Sequence, residues 1–168
     1  MKVMGIDQSL TSTGVCVLDV DLTSRDYTVV HASCIHTAPT GLGGPQDTVN
    51  RARQIANAID SIILDKGVHY VAMEGLSYAS GGKATRSLAM LFGILLDRIK
   101  VPTVVVYTPS EIKKHATGKG TASKSEMLKA IEPIKPFYYQ QLIETPASKG
   151  KFDMSDAFWI AHKHMESY

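Results

Sequence analysis

The alternation of apolar and polar positions divides the chain into three early strands, followed by helices that alternate with strands. The first 36 residues hold three apolar, β-branched segments separated by polar turns, which is typical of antiparallel hairpins. After a loop rich in glycine and proline at 37–46, helical spacing runs to Gly67 and recurs over 88–99. The predicted strands are residues 3–6, 15–20, 27–35, 70–73 and 103–107.

Capping residues mark the predicted starts of several helices. The candidate N-caps are Asp47 or Thr48 for the first helix, Ser110 for a short helix to residue 115, and Ser123 for another to about residue 131. Residues 133–150 fit no regular pattern, and 153–166 predict a terminal helix. This order of elements indicates an α/β fold with a five-stranded mixed sheet flanked by helices.

Length and composition favour one domain over residues 1–168, with enough chain to bury a full core. Two cysteines are too few for a disulfide framework, and we interpret Cys16 and Cys34 as buried free thiols rather than a cross-strand pair. The opening MKVMGIDQSL lacks a secretory apolar segment, and no stretch approaches the length of a membrane span. We therefore expect a cytoplasmic protein with no membrane association.

The net charge of +2 conceals an uneven distribution. Residues 81–129 contain nine basic and three acidic residues, a charge of +6, so the rest of the chain carries −4. A basic middle set against an acidic remainder suits a polyanion such as DNA held beside a carboxylate-rich site. The alternative is an ordinary solvated helix face. The basic stretch includes Lys83, Arg86 and Lys119 as candidates for DNA contact.

Four acidic residues occupy positions that favour chemistry. Asp7 and Glu74 each end an apolar strand, so they meet at one edge of the sheet if those strands are parallel neighbours. Asp153 and Asp156 lie three residues apart and share a face of the terminal helix. Simple N-terminal capping is the alternative for this last pair.

Four carboxylates brought together repel one another, at on the order of 1–3 kcal/mol for each pair about 5 Å apart. A divalent cation removes that cost, and oxygen ligands without cysteine or histidine favour Mg²⁺ or Mn²⁺ over zinc. Two such ions activate a water and stabilise the leaving oxygen in phosphodiester hydrolysis. The sequence therefore predicts two Mg²⁺ ions per active site, with Mn²⁺ as a substitute.

The sequence resembles the RuvC family of Holliday junction resolvases, within the ribonuclease H-like (retroviral integrase) superfamily. The resemblance covers essentially the whole chain, with the segments in the family's order. The matching segments are GIDQSLTSTGVCVLD (5–19), VAMEGL (71–76), YTPSEIKKHATGKGTASKSEML (107–128) and FDMSDAFWIA (152–161). The resemblance implies a ribonuclease H-like fold and a homodimer that cuts opposed strands of a four-way junction symmetrically, leaving 5′-phosphate and 3′-hydroxyl ends.

The same resemblance implies roles for individual residues. The four family metal ligands correspond to Asp7, Glu74, Asp153 and Asp156. Lys113 and Lys124 correspond to family lysines near the scissile phosphate, so Lys124 is also predicted to act in catalysis.

Two features depart from the bacterial pattern. Ser77 stands where bacterial members often carry a phenylalanine that enters the open junction, and Tyr78, one place later, is a candidate for that stacking role. The segment 133–151 is longer than the pattern leads us to expect. Both features suggest a divergent, bacteriophage-type branch. Whether a branch-migration motor is a partner is unknown from the sequence.

Other readings remain open at this point. The activity is either specific for four-way junctions or extends to forks, flaps and three-way junctions. GIDQSLTSTG also resembles the first phosphate loop of actin-like ATPases, although no second loop is visible. A catalytically silent junction-binding module is a third possibility. We interpret Lys114 and His115 as solvated and His162 and His164 as surface or packing groups, while the leucines of 88–95 suit either a core or a dimer seam.

Overall fold

The computed structural model describes residues 1–76 and 82–168, with backbone alone for Lys83. Its single described sheet has the strand order β3-β2-β1-β4-β5, with antiparallel β3-β2-β1 and parallel β1-β4-β5. The strands are β1 (Lys2–Asp7), β2 (Ser12–Val20), β3 (Tyr27–His36), β4 (Tyr70–Glu74) and β5 (Val104–Tyr107). All five predicted strands are thus confirmed, with small differences at their ends.

Six helices flank this sheet in the described residues. They are α1 (Gly44–Lys66), α2 (Lys83–Arg98), α3 (Pro109–Thr117), α4 (Lys124–Lys129), α5 (Pro136–Glu144) and α6 (Lys151–Met165). The segment that showed no pattern contains α5 and a short 3₁₀ turn at Ala147–Lys149. Tyr138 and Leu142 of α5 are buried in the core, so this segment is an integral part of the fold. No helix among residues 1–76 and 82–168 has the length and apolar character needed to cross a bilayer.

Two of the predicted helix caps are wrong. The first helix begins at Gly44, and Asp47 already lies inside it, where its carboxylate accepts hydrogen bonds from Thr40 and pairs with Arg51 at 3.5 Å. Thr108, not Ser110, caps α3 in a capping box with Glu111.

Ser123 caps α4 as predicted, through a second capping box with Glu126. The side chain of Ser123 accepts a hydrogen bond from the Glu126 amide, while the Glu126 carboxylate accepts one from the Ser123 amide at 2.8 Å. This cap fixes the start of the helix whose first residue is Lys124.

Two apolar cores lie on opposite faces of the sheet. One packs α1 and α2 against β1, β2 and β4, and the fully buried Leu91 and Leu95 belong to it. These leucines therefore serve the core of the chain rather than a dimer seam. The other core places α6 against the sheet, with α3, α4 and α5 around it, and is centred on Phe158 and Trp159.

The predictions for the histidines are right for two residues and wrong for one. His162 and His164, which were interpreted as surface or packing groups, are buried packing groups. His115 is not solvated: its ring lies against Trp159, at a centroid distance of 5.9 Å, and only 16% of its side chain is exposed. That prediction was wrong because helical spacing alone does not show that α6 covers this face of α3. Cys16 and Cys34 are free thiols, as predicted, although Cys34 is only partly buried.

Helix α6 approaches the sheet at backbone distance because two strand residues are glycines. A Cβ on Gly5 would lie 2.1 Å from the carbonyl oxygen of Ala157, and one on Gly14 would lie 2.1 Å from that of Asp153. Such separations are far shorter than van der Waals contact, so no other residue fits without moving the helix. These glycines set the distance between β1, β2 and the acidic residues of α6.

We expect Gly5→Ala to lower the free energy of unfolding by about 3 kcal/mol or more, because the added methyl group meets backbone atoms that cannot rotate away. Denaturant unfolding of the purified variant measures this. Gly93→Ala on the exposed side of α2 is the matched control, since nothing lies within 4 Å of its added Cβ. The free energy of unfolding of Gly93→Ala should rise by about 1 kcal/mol, because alanine has the higher helix propensity. Equal stability of Gly5→Ala and the wild type would contradict this view of the α6 contact.

Candidate active site

The parallel pairing of β1 and β4 brings two of the predicted acids together. Ile6 pairs with Met73 in the ladder, so Asp7 and Glu74 follow at the same edge of the sheet. Burial raises the pKa of Glu74, against a hydrogen bond with Asp7 and the charges of Lys113 and Lys124, which lower it. The predicted convergence of the strand ends is therefore present.

The first two turns of α6 supply the other two acids. Asp153 and Asp156 have 21% and 19% of their side chains exposed, so both are largely enclosed. The Ser12 hydroxyl donates a 2.5 Å hydrogen bond to the Asp153 carboxylate from the start of β2. Sequence analysis did not identify Ser12, because the two residues are 141 positions apart and no local spacing links them.

Lys124 lies among these carboxylates. Its ammonium nitrogen is 3.3 Å from Asp153 Oδ1 and 3.7 Å from Asp156 Oδ2. Burial works against the charged form, but Asp156, Asp7 and Asp153 outweigh it and raise the pKa of Lys124. The first residue of α4 thus places a cation at the acidic cluster.

A cavity of about 180 Å³ opens between these groups. Three of the four acids line it together with Lys113 and Lys124, and apolar side chains from α3, α4 and α6 close its walls. The lining residues are Asp7, Glu74, Pro109, Ile112, Lys113, Lys124, Met127, Asp156 and Ile160. A phosphate group entering this cavity would meet three carboxylates and two lysines.

The carboxylates of this cavity are electrostatically unfavourable. Burial, and then the charges of Asp156, Glu74 and Asp153, raise the pKa of Asp7 well above its usual value. Burial also raises the pKa of Asp156 to about 6, with Glu74 and Asp153 adding to it and Lys124 and Lys113 opposing it. The folded chain therefore disfavours full ionisation of the cluster in the absence of further positive charge.

The chemistry of this donor set fits hard divalent cations. All four side chains offer carboxylate oxygens, which Mg²⁺ and Mn²⁺ prefer. Among residues 1–76 and 82–168, no three of these carboxylates bring one oxygen each within 4.8 Å of one another. The donors are thus spread around the cavity, as expected for groups that repel one another.

The remaining predicted DNA contacts are distributed differently. Lys119 is exposed in the loop after α3 and lines a separate cavity, away from the carboxylates. Arg86 is exposed in the first turn of α2. Tyr78 and the side chain of Lys83 fall outside the described residues. Lys113 and Lys124 are therefore the two basic residues that the structure places at the acidic cavity.

A family model described as "Crossover junction endodeoxyribonuclease RuvC" matches residues 3–164. The chain belongs to this family. Two curated relatives carry the same description. The protein of Ehrlichia chaffeensis is 28% identical over 99% of this chain and 97% of its own length, and that of Helicobacter pylori strain P12 is 26% identical over the same shares. The resemblance seen in the sequence is confirmed, and with it the enzyme class of a crossover junction endodeoxyribonuclease.

Solved structures give the same fold. Thermus thermophilus RuvC superposes with a TM-score of 0.73 at 24% identity, over 98% of this chain and 93% of that one. The yeast mitochondrial Holliday junction resolvase gives 0.68 at 19% identity, over 97% and 77%. The predicted ribonuclease H-like fold is thereby confirmed.

Family membership also narrows the open readings. A nuclease family that matches nearly the whole chain favours cleavage over the actin-like phosphotransferase and the silent binding module. It implies a nuclease that depends on divalent metal, without specifying the ion or the number of ions. The bacteriophage-type branch stays a prediction.

The raised pKa of Asp156 predicts that ionisation of this side chain lowers the free energy of unfolding of the metal-free protein. The pKa of this carboxyl group is about 4 in the unfolded chain and about 6 in the folded chain. The folded protein therefore loses stability as the pH rises through that window. In EDTA, we expect Asp156→Asn to gain stability relative to the wild type between pH 4 and pH 7, by up to about 3 kcal/mol. Denaturant unfolding at each pH measures the difference.

Asp97→Asn, on the exposed side of α2, is the matched control and should show no such trend. Adding Mg²⁺ at pH 7 should stabilise the wild type more than Asp156→Asn, because an ion that binds only the folded state stabilises it. A stability difference between Asp156→Asn and the wild type that is independent of pH would contradict the electrostatic account.

Proposed function

We propose that this chain is a divalent-metal-dependent endonuclease that resolves four-way DNA junctions by paired, symmetric nicks, leaving 5′-phosphate and 3′-hydroxyl ends. The observation that carries the proposal is the convergence of four carboxylates with Lys113 and Lys124 at one edge of the sheet. Membership of the family supports it, and so does the match to a solved structure of Thermus thermophilus RuvC in complex with a Holliday junction substrate.

Asp7, Glu74, Asp153 and Asp156 would hold two Mg²⁺ ions, with Mn²⁺ as a substitute. Bound there, the ions supply activation of a water molecule and charge stabilisation of the leaving oxygen. Ser12 keeps the Asp153 carboxylate oriented through its hydrogen bond. Bound ions would favour the ionised forms of Asp7 and Glu74, because added positive charge offsets the burial that raises the pKa of both side chains and the repulsion that further raises that of Asp7.

The lysines act on the DNA backbone. Lys113 and Lys124 line the cavity from α3 and α4, where their ammonium groups attract the phosphate to be cleaved. Lys124 also neutralises Asp153 and Asp156 when DNA is absent. Its bonds to these carboxylates must loosen as phosphate enters, so it exchanges one anionic partner for another.

Symmetric cleavage implies two active sites, and we propose that the chain acts as a homodimer in the cytoplasm, as a single domain. Lys119 and Arg86, which lie outside the acidic cavity, are proposed to contact the arms or centre of the junction. Lys83 and Tyr78 are proposed as further contacts to the junction. A broader nuclease for branched DNA, including forks, flaps and three-way junctions, has the same active-site requirements. The choice between them is a matter of substrate shape rather than of chemistry.

The test is cleavage of a synthetic four-way junction in Mg²⁺ by the wild type and Asp7→Asn. We expect a loss of at least about 100-fold in nicking rate with junction binding retained, since the amide removes a metal-binding charge without changing the shape of the side chain. Asp97→Asn is the matched control and should cleave at the wild-type rate. Undiminished nicking by Asp7→Asn would overturn the proposal.

Rates on four-way, three-way and linear DNA then separate the two forms of the proposal. A preference of tenfold or more for the four-way substrate supports resolution, whereas equal rates on all branched substrates support the broader nuclease. Cleavage of linear duplex at the same rate would contradict structure selectivity altogether.

Lys124→Ala should weaken junction binding and make its salt dependence shallower by about one unit in the slope of log K against log salt, as expected for one lost phosphate contact. Fluorescence anisotropy with a labelled junction in EDTA, across several salt concentrations, measures this. Lys100→Ala, after α2, is the matched control. An unchanged slope for Lys124→Ala would remove its proposed role at the phosphate.

A further inference from the structure

A second group of potential metal ligands lies between α3 and the C-terminal half of α6. His162 and Glu166 are four residues apart and face the same side of the helix, and His115 reaches them from α3. One ligand atom from each lies within 4.8 Å of the other two. These residues line a cavity of about 660 Å³ that shares no lining residue with the acidic cavity.

The three side chains are already close to the spacing of a coordination shell. His115 Nε2 and His162 Nδ1 are 2.9 Å apart, and the Glu166 carboxylate lies 3.9 Å from His162 Nδ1. The same carboxylate lies 3.7 Å from Nδ1 of His115, the second nitrogen of that ring. Ligands that surround a zinc ion tetrahedrally at about 2.0–2.2 Å are themselves about 3.3–3.6 Å apart. Small side-chain rotations would therefore bring one atom of each residue onto a common ion.

We propose that His115, His162 and Glu166 form a second metal site, selective for a borderline transition ion such as Zn²⁺ rather than for Mg²⁺. Two imidazole nitrogens and one carboxylate oxygen are a typical ligand set for zinc, while Mg²⁺ prefers oxygen donors alone. Three protein ligands would leave a fourth position for a water molecule from the cavity that these residues line.

The imidazoles suit this role chemically. Burial lowers the pKa of both histidines, and it brings that of His162 to about 4, with His115 and Lys135 adding to the effect. Both rings are thus neutral near pH 7 and have a lone pair to offer. In the metal-free arrangement the two nearest ring nitrogens share one proton in a hydrogen bond. Coordination by both of these nitrogens needs the tautomers that carry their protons on the opposite ring positions.

An ion here would join two of the three helices that line the acidic cavity. Helix α3 bears Lys113 two residues before His115, and α6 bears Asp156 six residues before His162. Bound metal would therefore brace α3 against α6 and fix the approach of Lys113 to the phosphate, without taking part in cleavage itself.

The first experiment is calorimetric titration of the full-length protein with Zn²⁺ in a large excess of Mg²⁺, which occupies carboxylate-only sites. We expect one Zn²⁺ per chain for the wild type and at least tenfold weaker binding for both Glu166→Gln and His115→Gln. The side chain of Glu166 is 56% exposed, so Glu166→Gln should fold even if His115→Gln does not. Glu132→Gln, an exposed residue of the loop before α5, is the matched control and should bind like the wild type.

Co²⁺ gives a second measurement that does not depend on activity. A site with two imidazole ligands and low coordination number gives Co²⁺ intense visible absorption, whereas six oxygen ligands give only a weak band. We expect the intense spectrum in the wild type and Glu132→Gln, and its loss in Glu166→Gln. Failure to bind Zn²⁺ in excess Mg²⁺, or Zn²⁺ binding that survives both ligand substitutions, would overturn this site and leave the proposed nuclease function untouched.

Discussion

The close approach of α6 to the sheet is the constraint on which the rest of the structure depends. Gly5 and Gly14 present no Cβ to the helix, so the backbones of β1 and β2 lie against Ala157 and Asp153. Because Asp7 lies two residues after Gly5, this contact also fixes the separation between the carboxylates of strand and helix. The two glycines therefore determine both the packing of α6 and the geometry of the acidic cavity. A change that moves α6 away from the sheet would also increase the distances between the carboxylates.

Within that frame the acidic cavity holds an electrostatic balance rather than an ordinary network of ion pairs. Burial disfavours the ionised forms of Asp7, Glu74 and Asp156, and repulsion adds to this for the two aspartates. The charges of Lys124 and Lys113 act in the opposite direction. Without bound cations, such a site lowers the stability of the folded protein. The same arrangement favours the binding of additional positive charge. That combination is typical of functional sites, where stability is exchanged for chemistry.

The sequence predicted those parts of the fold that depend on local pattern. Strand ends at Asp7 and Glu74 followed from apolar runs that stop at an acid, and their meeting followed from the parallel pairing that helical crossovers impose. Contacts between distant segments left no such signal. The bond from Ser12 to Asp153, and the burial of His115 beneath α6, depend on how helices dock, which spacing within one helix does not show.

Helix α6 is a single unbroken element from Lys151 to Met165, and its two halves serve different neighbours. With a rise of about 1.5 Å per residue, Asp156 and His162 are separated by only about 9 Å along its axis. Phe158 and Trp159 lie between them and anchor the helix by their rings. A substitution that changes the packing of these two rings would rotate the whole helix, because the helix is continuous. Asp156 and His162 would then both move relative to their partners, so a change in the apolar middle of the helix would alter both polar sites.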